Sequence, residues 1–161
     1  MVPLRIRPLL TAALIASATA ALPRAAQGQR TGAARDDDID VIVNADVPVS
    51  SVHAREARRI FLLRQRFWPG GRVIAPVNLP AASPLRRDFS VTLLGRSVRE
   101  LTEYWNDLYF HGTEPPPVLE SERAVILYVA RTPGAIGYVY ASTLRAAPEH
   151  DAVKVVLELQ P

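Results

Sequence analysis

Residues 121–140 read Ser-Glu-Arg-Ala-Val-Ile-Leu-Tyr-Val-Ala-Arg-Thr-Pro-Gly-Ala-Ile-Gly-Tyr-Val-Tyr, and inside this stretch the hydrophobic period changes. Ser121 is a good N-cap, because a serine hydroxyl accepts from an otherwise unpaired N–H of the first helical turn. Val125, Tyr128 and Val129 then share one face at helical spacing. Thr132-Pro133-Gly134 stops the helix, since proline cannot continue it and glycine takes the turn that follows. Ala135 to Tyr140 is apolar throughout, as in a buried strand, and Gly137 inside it marks a bulge or a close backbone approach. A helix that feeds straight into a strand predicts an alternating α/β unit.

The flanks repeat the pattern. Ile39 to Val43 is a short β-branched strand closed by Asn44, Asp46 and Pro48. Ser51 is the expected N-cap of a helix to about Leu62, with Ala54, Ala57, Ile60 and Phe61 on one face and Arg55, Arg58 and Arg59 on the other. Trp68-Pro69-Gly70-Gly71 is a turn, and Val73 to Leu79 is a second strand candidate. Ser83-Pro84 is an N-cap followed by a first-turn proline. Leu85, Phe89 and Leu93 recur every four residues, and Gly95 ends that helix. Ser97 and Glu100 form a capping box for the next one, whose stripe is Leu101, Tyr104, Trp105 and Leu108. Pro115-Pro116-Pro117 is a stiff, extended linker. Val153, Val155, Leu157 and Leu159 alternate with Lys154, Val156, Glu158 and Gln160, which predicts a strand with the first set buried. The expected core is Phe89, Leu93, Leu101, Trp105, Leu108, Val125 and Val129, packed on a sheet from the Ile39, Val73, Ile136 and Val155 regions.

The chain has 161 residues, 48% hydrophobic and 22% charged, which suits one soluble globular domain. It has no cysteine, so disulfides, thiol catalysis, iron–sulfur sites and cysteine zinc sites are excluded. The net charge of +3 comes from Arg5, Arg7 and Arg24, because residues 29–161 hold 16 basic and 16 acidic side chains. That balance argues against a nucleic-acid footprint. The cluster Arg55, Arg58, Arg59, Arg64, Arg66 and Arg72 reads as a solvated helix face and the loop after it.

Residues 1–28 have the form of an export signal: two arginines, then a run from Leu9 to Leu22 too short to span a bilayer, then small residues. Cleavage after Gly28 or near Ala20 fits; an uncleaved anchor is the alternative. Residues 29–38 read as a flexible leader, in which Asp36-Asp37-Asp38 is solvated. The expected organisation is therefore signal 1–28, leader 29–38 and one domain over 39–161. The product is exported, periplasmic where an outer membrane exists, and not inserted in a membrane after cleavage.

Chemistry is sparse. His53, His111 and His150 are scattered, with no HExxH and no i, i+4 pair, so no metal site is expected. No Gly-x-Ser-x-Gly elbow, P-loop or Gly-x-Gly-x-x-Gly occurs. His111 suits the C-terminal end of a helix, and Tyr104 and Trp105 at helical spacing suit a core. The expectation is no catalysis and no cofactor.

Five segments carry a resemblance: Arg59-Ile60-Phe61-Leu62; Phe67-Trp68-Pro69-Gly70-Gly71-Arg72; Tyr104 through Gly112; Pro115-Pro116-Pro117; and Thr132 through Tyr138. In this order they resemble phosphate-type periplasmic substrate-binding proteins of ABC transporters, in a short single-lobe form. The resemblance implies a single lobe of the type II periplasmic binding-protein fold, an α/β domain with a mixed sheet and flanking helices. It also implies secretion and binding of phosphate or another small oxyanion in partnership with a membrane transporter. Full-length relatives hold phosphate on a Ser-Gly-Thr loop at a helix N-terminus. Here only Ser83 keeps its type, with Pro84 and Leu85 in the other two places and no arginine before them. Ser83, Arg86 and Arg87 are the implied ligand donors; alternatively Ser83 is an N-cap alone and the arginines are solvated. Leu63 stands where glycine is usual after the Ile-Phe-Leu helix. About 130 residues after cleavage supply one lobe, one wall of a site. A protein-interaction or sensor-adaptor module that keeps the lobe without the ligand is the competing function.

Overall fold

A computed structural model describes residues 35–161; the export signal expected over residues 1–28 and most of the expected leader lie outside them. The elements run β1 (Ile39–Asn44), α1 (Ala54–Phe61), β2 (Ala75–Pro76), α2 (Pro84–Phe89), α3 (Val98–Phe110), α4 (Glu122–Arg131), β3 (Ala135–Tyr140), α5 (Ala141–Arg145) and β4 (Val153–Leu159). The four strands form one mixed sheet in the order β2-β3-β1-β4, with β2 parallel to β3 and the other pairs antiparallel. Every residue of β1 is buried, because it has a strand on each side and helices over both faces. One face carries Tyr138, whose ring stacks on Phe89 at 3.6 Å, while Phe61 meets Phe89 edge-on at 4.8 Å. On the other face lies α4, held by the Asn44 side chain, which donates to the carbonyls of Val129 (2.9 Å) and Ala130 (3.0 Å).

Gly137 is explained by α4 and not by a bulge. Its strand pairs with β1 in unbroken register. A Cβ at that position would stand 2.5 Å from Val125 Cγ1, so glycine lets the helix sit directly on the sheet. The expected caps at Ser83, Ser97 and Ser121 form, and Ser97 and Glu100 complete the capping box.

Other expectations are corrected. The N-cap of α1 is His53, not Ser51, because Val52 donates its N–H to the Val156 carbonyl at 2.8 Å and stays with the sheet. The 73–79 strand shrinks to Ala75–Pro76; Pro76 has no N–H and is tolerated at a sheet edge. Val73 is exposed and pairs only with Phe67. In β4 the register against β1 slips between Val41 and Ile42. Val156 becomes the unpaired, buried residue, and Val155 turns to solvent. Ala54, in the first turn of α1, is exposed and does not share the buried face of Ala57, Ile60 and Phe61, and Leu108 and Tyr128 are half-buried. Asp38 is buried and accepts from the Arg35 N–H at 2.8 Å, so it is not solvated, whereas Asp36 is exposed and pairs with Arg145. The helix begun by α2 widens into a π turn over Ser90–Leu94 before Gly95 closes it at φ 63°.

Helix α1 ends in a full Schellman motif. Leu63 donates to Ile60 O at 2.9 Å and Arg64 to Arg59 O at 2.8 Å. Leu63 takes the left-handed position at φ 55° and is the non-glycine residue with positive φ among the described residues. The chain makes the turn that glycine would make and accepts the steric cost.

Candidate functional site

Three elements converge beyond the end of β2. The strand leads into Val77-Asn78-Leu79, where Val77 donates to Ile136 O and Asn78 donates to Pro117 O at 2.8 Å. The proline-rich stretch is thus paired to the sheet edge through Asn78 and Val118. Tyr138 reaches across from β3. Its hydroxyl donates to Asn78 Oδ1 (3.0 Å) and accepts long contacts from the Leu79 N–H and Arg86 Nη1, each at 3.4 Å. Burial pushes the Tyr138 phenol up to about 12, with Arg86 opposing the shift, so it remains a phenol at neutral pH.

Arg86 is the unusual member. Its side chain comes off the first turn of α2 and runs inward, leaving the residue 7% exposed. It joins no ion pair among the described residues, and its Nε has no hydrogen-bond partner. Burial lowers its pKa and the neighbouring Tyr138 opposes this, yet a guanidinium keeps its charge at pH 7. A buried charge normally has a hydrogen-bonded counter-charge. Here Arg86 instead lines a cavity of about 250 Å3 that opens between α3 and the proline stretch. Asn78 and Arg86 supply its polar floor; Trp105, Pro115, Pro116 and Val118 supply apolar wall; Thr102 and Asn106 complete it from α3.

The other two expected donors lie elsewhere. Ser83 Oγ accepts from the Arg86 N–H at 3.4 Å as the cap of α2. It lines a separate hollow of about 410 Å3 together with Glu120 and Glu122, whose carboxylates repel anions. Arg87 is exposed and donates from Nη1 to the Ala82 carbonyl at 2.8 Å. The structure therefore groups Arg86 with Asn78 and Tyr138, and not with Ser83 and Arg87. Asn78 was legible only as a polar residue between two apolar ones; Tyr138 was legible by its place in a buried strand and as the last residue of the segment Thr132 through Tyr138. His111 is the C-cap of α3, with Nδ1 2.7 Å from Asp107 O. Among the described residues no helix is long and apolar enough to cross a membrane.

This architecture has solved counterparts. An ABC-type phosphate transport receptor from Vibrio cholerae superposes with a TM-score of 0.57 at 19% identity, over 74% of this chain and 45% of its own. PstS from Borrelia burgdorferi gives 0.59 at 16% identity, over 78% of this chain and 49% of its own. A Clostridium perfringens protein whose crystal structure holds bound phosphate gives 0.58 at 19%, over 74% and 44%. The chain has the fold of one lobe of these receptors. It spans less than half the length of each. No family model matches the sequence, and no curated protein matches it. The α/β lobe with a mixed sheet is thus the periplasmic binding-protein architecture expected from the five segments.

Proposed function

We propose that this protein is an exported binding lobe, not an enzyme, that takes phosphate or a similar small oxyanion and serves an ABC transporter. The observation that carries the proposal is the buried Arg86 guanidinium, without a carboxylate partner, on the floor of a cavity it shares with Asn78. A tetrahedral or planar oxyanion supplies the missing charge and accepts from the guanidinium fork. Asn78 is the second donor, and Tyr138 holds both in place. Of the donors expected from the sequence, Arg86 leads; Ser83 and Arg87 act only by shaping the first turn of α2. The titles of the similar structures, a phosphate transport receptor and a protein with bound phosphate, support the ligand class and the transporter connection.

A single lobe leaves the site open to water and salt, so affinity is weak, on the order of 0.1 mM to several mM. Calorimetry or amide-shift mapping with phosphate tests this on wild type, Arg86→Met and Ser83→Ala/Arg87→Ala. The expected result is loss of binding in Arg86→Met and retention in the double variant. Phosphate binding that survives Arg86→Met removes the site. Export is tested by intact mass of the protein from its native host. The expected start lies near Gln29, and a retained Met1 refutes cleavage.

A further inference from the structure

We propose that the Arg86 cavity selects oxyanions joined to a flat apolar group, an aromatic carboxylate or aryl phosphate, over inorganic phosphate. This rests on the oxyanion reading above and narrows it. The donors are grouped, since Arg86 and Asn78 both meet the Tyr138 hydroxyl. Arg86 and Asn78 share the lining with Trp105, Pro115, Pro116 and Val118, which offer mostly apolar surface. Thr102 adds little, since its hydroxyl already donates to the Val98 carbonyl at 3.0 Å. Asn106, on the same helix, is exposed at the rim.

Inorganic phosphate presents hydrogen-bonding oxygens in every direction. Placed here, it meets the apolar surface of Trp105 and the prolines as well as the guanidinium, so part of its hydration is lost without replacement. An arene carrying one carboxylate or phosphate has the matching asymmetry: its charged end meets the fork of Arg86 and its ring lies against Trp105 and the prolines. The volume is adequate. A dry cavity of about 150 Å3 accommodates benzene, and this one is about 250 Å3, which leaves room for a ring and one anionic group. It is smaller than the roughly 300–1,000 Å3 of sites for drug-sized ligands, so the ligand has one ring.

The test titrates the full-length protein with benzoate, acetate, phenyl phosphate and inorganic phosphate, each against wild type, Arg86→Met and Val118→Ser. Val118 is 55% exposed, so its replacement leaves the fold intact even where Arg86→Met does not. The expected result is benzoate at least about tenfold tighter than acetate, and phenyl phosphate at least about tenfold tighter than phosphate. That ratio corresponds to a few tens of square ångströms of apolar surface removed from water. In Val118→Ser the ratios fall. Equal affinities for phenyl phosphate and phosphate, both lost in Arg86→Met, overturn the preference and leave the oxyanion site standing. Absence of binding by all four anions overturns both.

Discussion

Asp40 offers a direct test of how the central strand is charged. It is the second residue of β1, opposite Val139 on one side and Glu158 on the other. It is buried, and its Oδ1 has no hydrogen-bond partner. Burial, then Glu158, raises the carboxyl from 3.8 to about 6; Arg145 pulls the other way and Asp38 adds to the rise. The folded protein therefore binds this proton more tightly than the unfolded chain. The contribution to stability is full below about pH 4 and is lost as pH rises through about 6. A rise of about two units is worth at most about 3 kcal/mol. Asp40→Asn removes the ionisation, although the amide must still find partners beside Glu158. Urea unfolding of wild type and variant at pH 4 and pH 8 is the assay. The variant should gain about 1–3 kcal/mol on the wild type between the two conditions, because only the wild type is charged there at pH 8. The difference between the two proteins cancels the other carboxylates. An offset that is the same at both pH values, or one that moves the opposite way, refutes the reasoning.

Gly137→Ala places a Cβ 2.5 Å from Val125 Cγ1 and should cost about 1–3 kcal/mol in urea unfolding. Adding Val125→Ala should recover part of that loss, a coupling that a double-mutant cycle measures. Leu63→Gly relieves the left-handed strain at the end of α1 and should raise stability by up to about 1 kcal/mol. Leu63→Val, β-branched at φ 55°, should lower it by at least as much, and thermal denaturation ranks the three proteins. Ser97→Ala breaks the capping box of α3 and should cost about 1 kcal/mol, read from the same unfolding curves.

Much of the fold was legible because its signals are local. Caps at Ser83, Ser97 and Ser121, the stop at Thr132-Pro133-Gly134 and the β-branched run at Ile39 each act within a turn or two of chain. The departures come from partners distant in sequence. Val156 is buried and Val155 exposed because a bulge against β1 shifts the phase of β4, which no alternation in β4 itself could announce. Val52 leaves the helix expected from Ser51 because a carbonyl more than a hundred residues away takes its N–H. At the candidate site, Arg86 was chosen for its place in the first turn of a helix. Its importance in the structure lies elsewhere, in its burial against Tyr138 and Asn78. That triad joins α2, β3 and the segment after β2, and sequence spacing carries no trace of it.

The sheet's pairing order has a consequence for when the domain acquires its shape. Each of its three strand pairs includes β3 or β4, so nothing of the sheet can assemble on a ribosome until residue 135 and beyond have emerged. β1, the strand that both must flank, waits through about a hundred residues of synthesis with its apolar side chains unpaired. Such distant pairing makes folding slow and late. For the exported lobe proposed above, that delay is useful: the polypeptide stays open while it is being made, and closes once its β3 and β4 segments have been delivered.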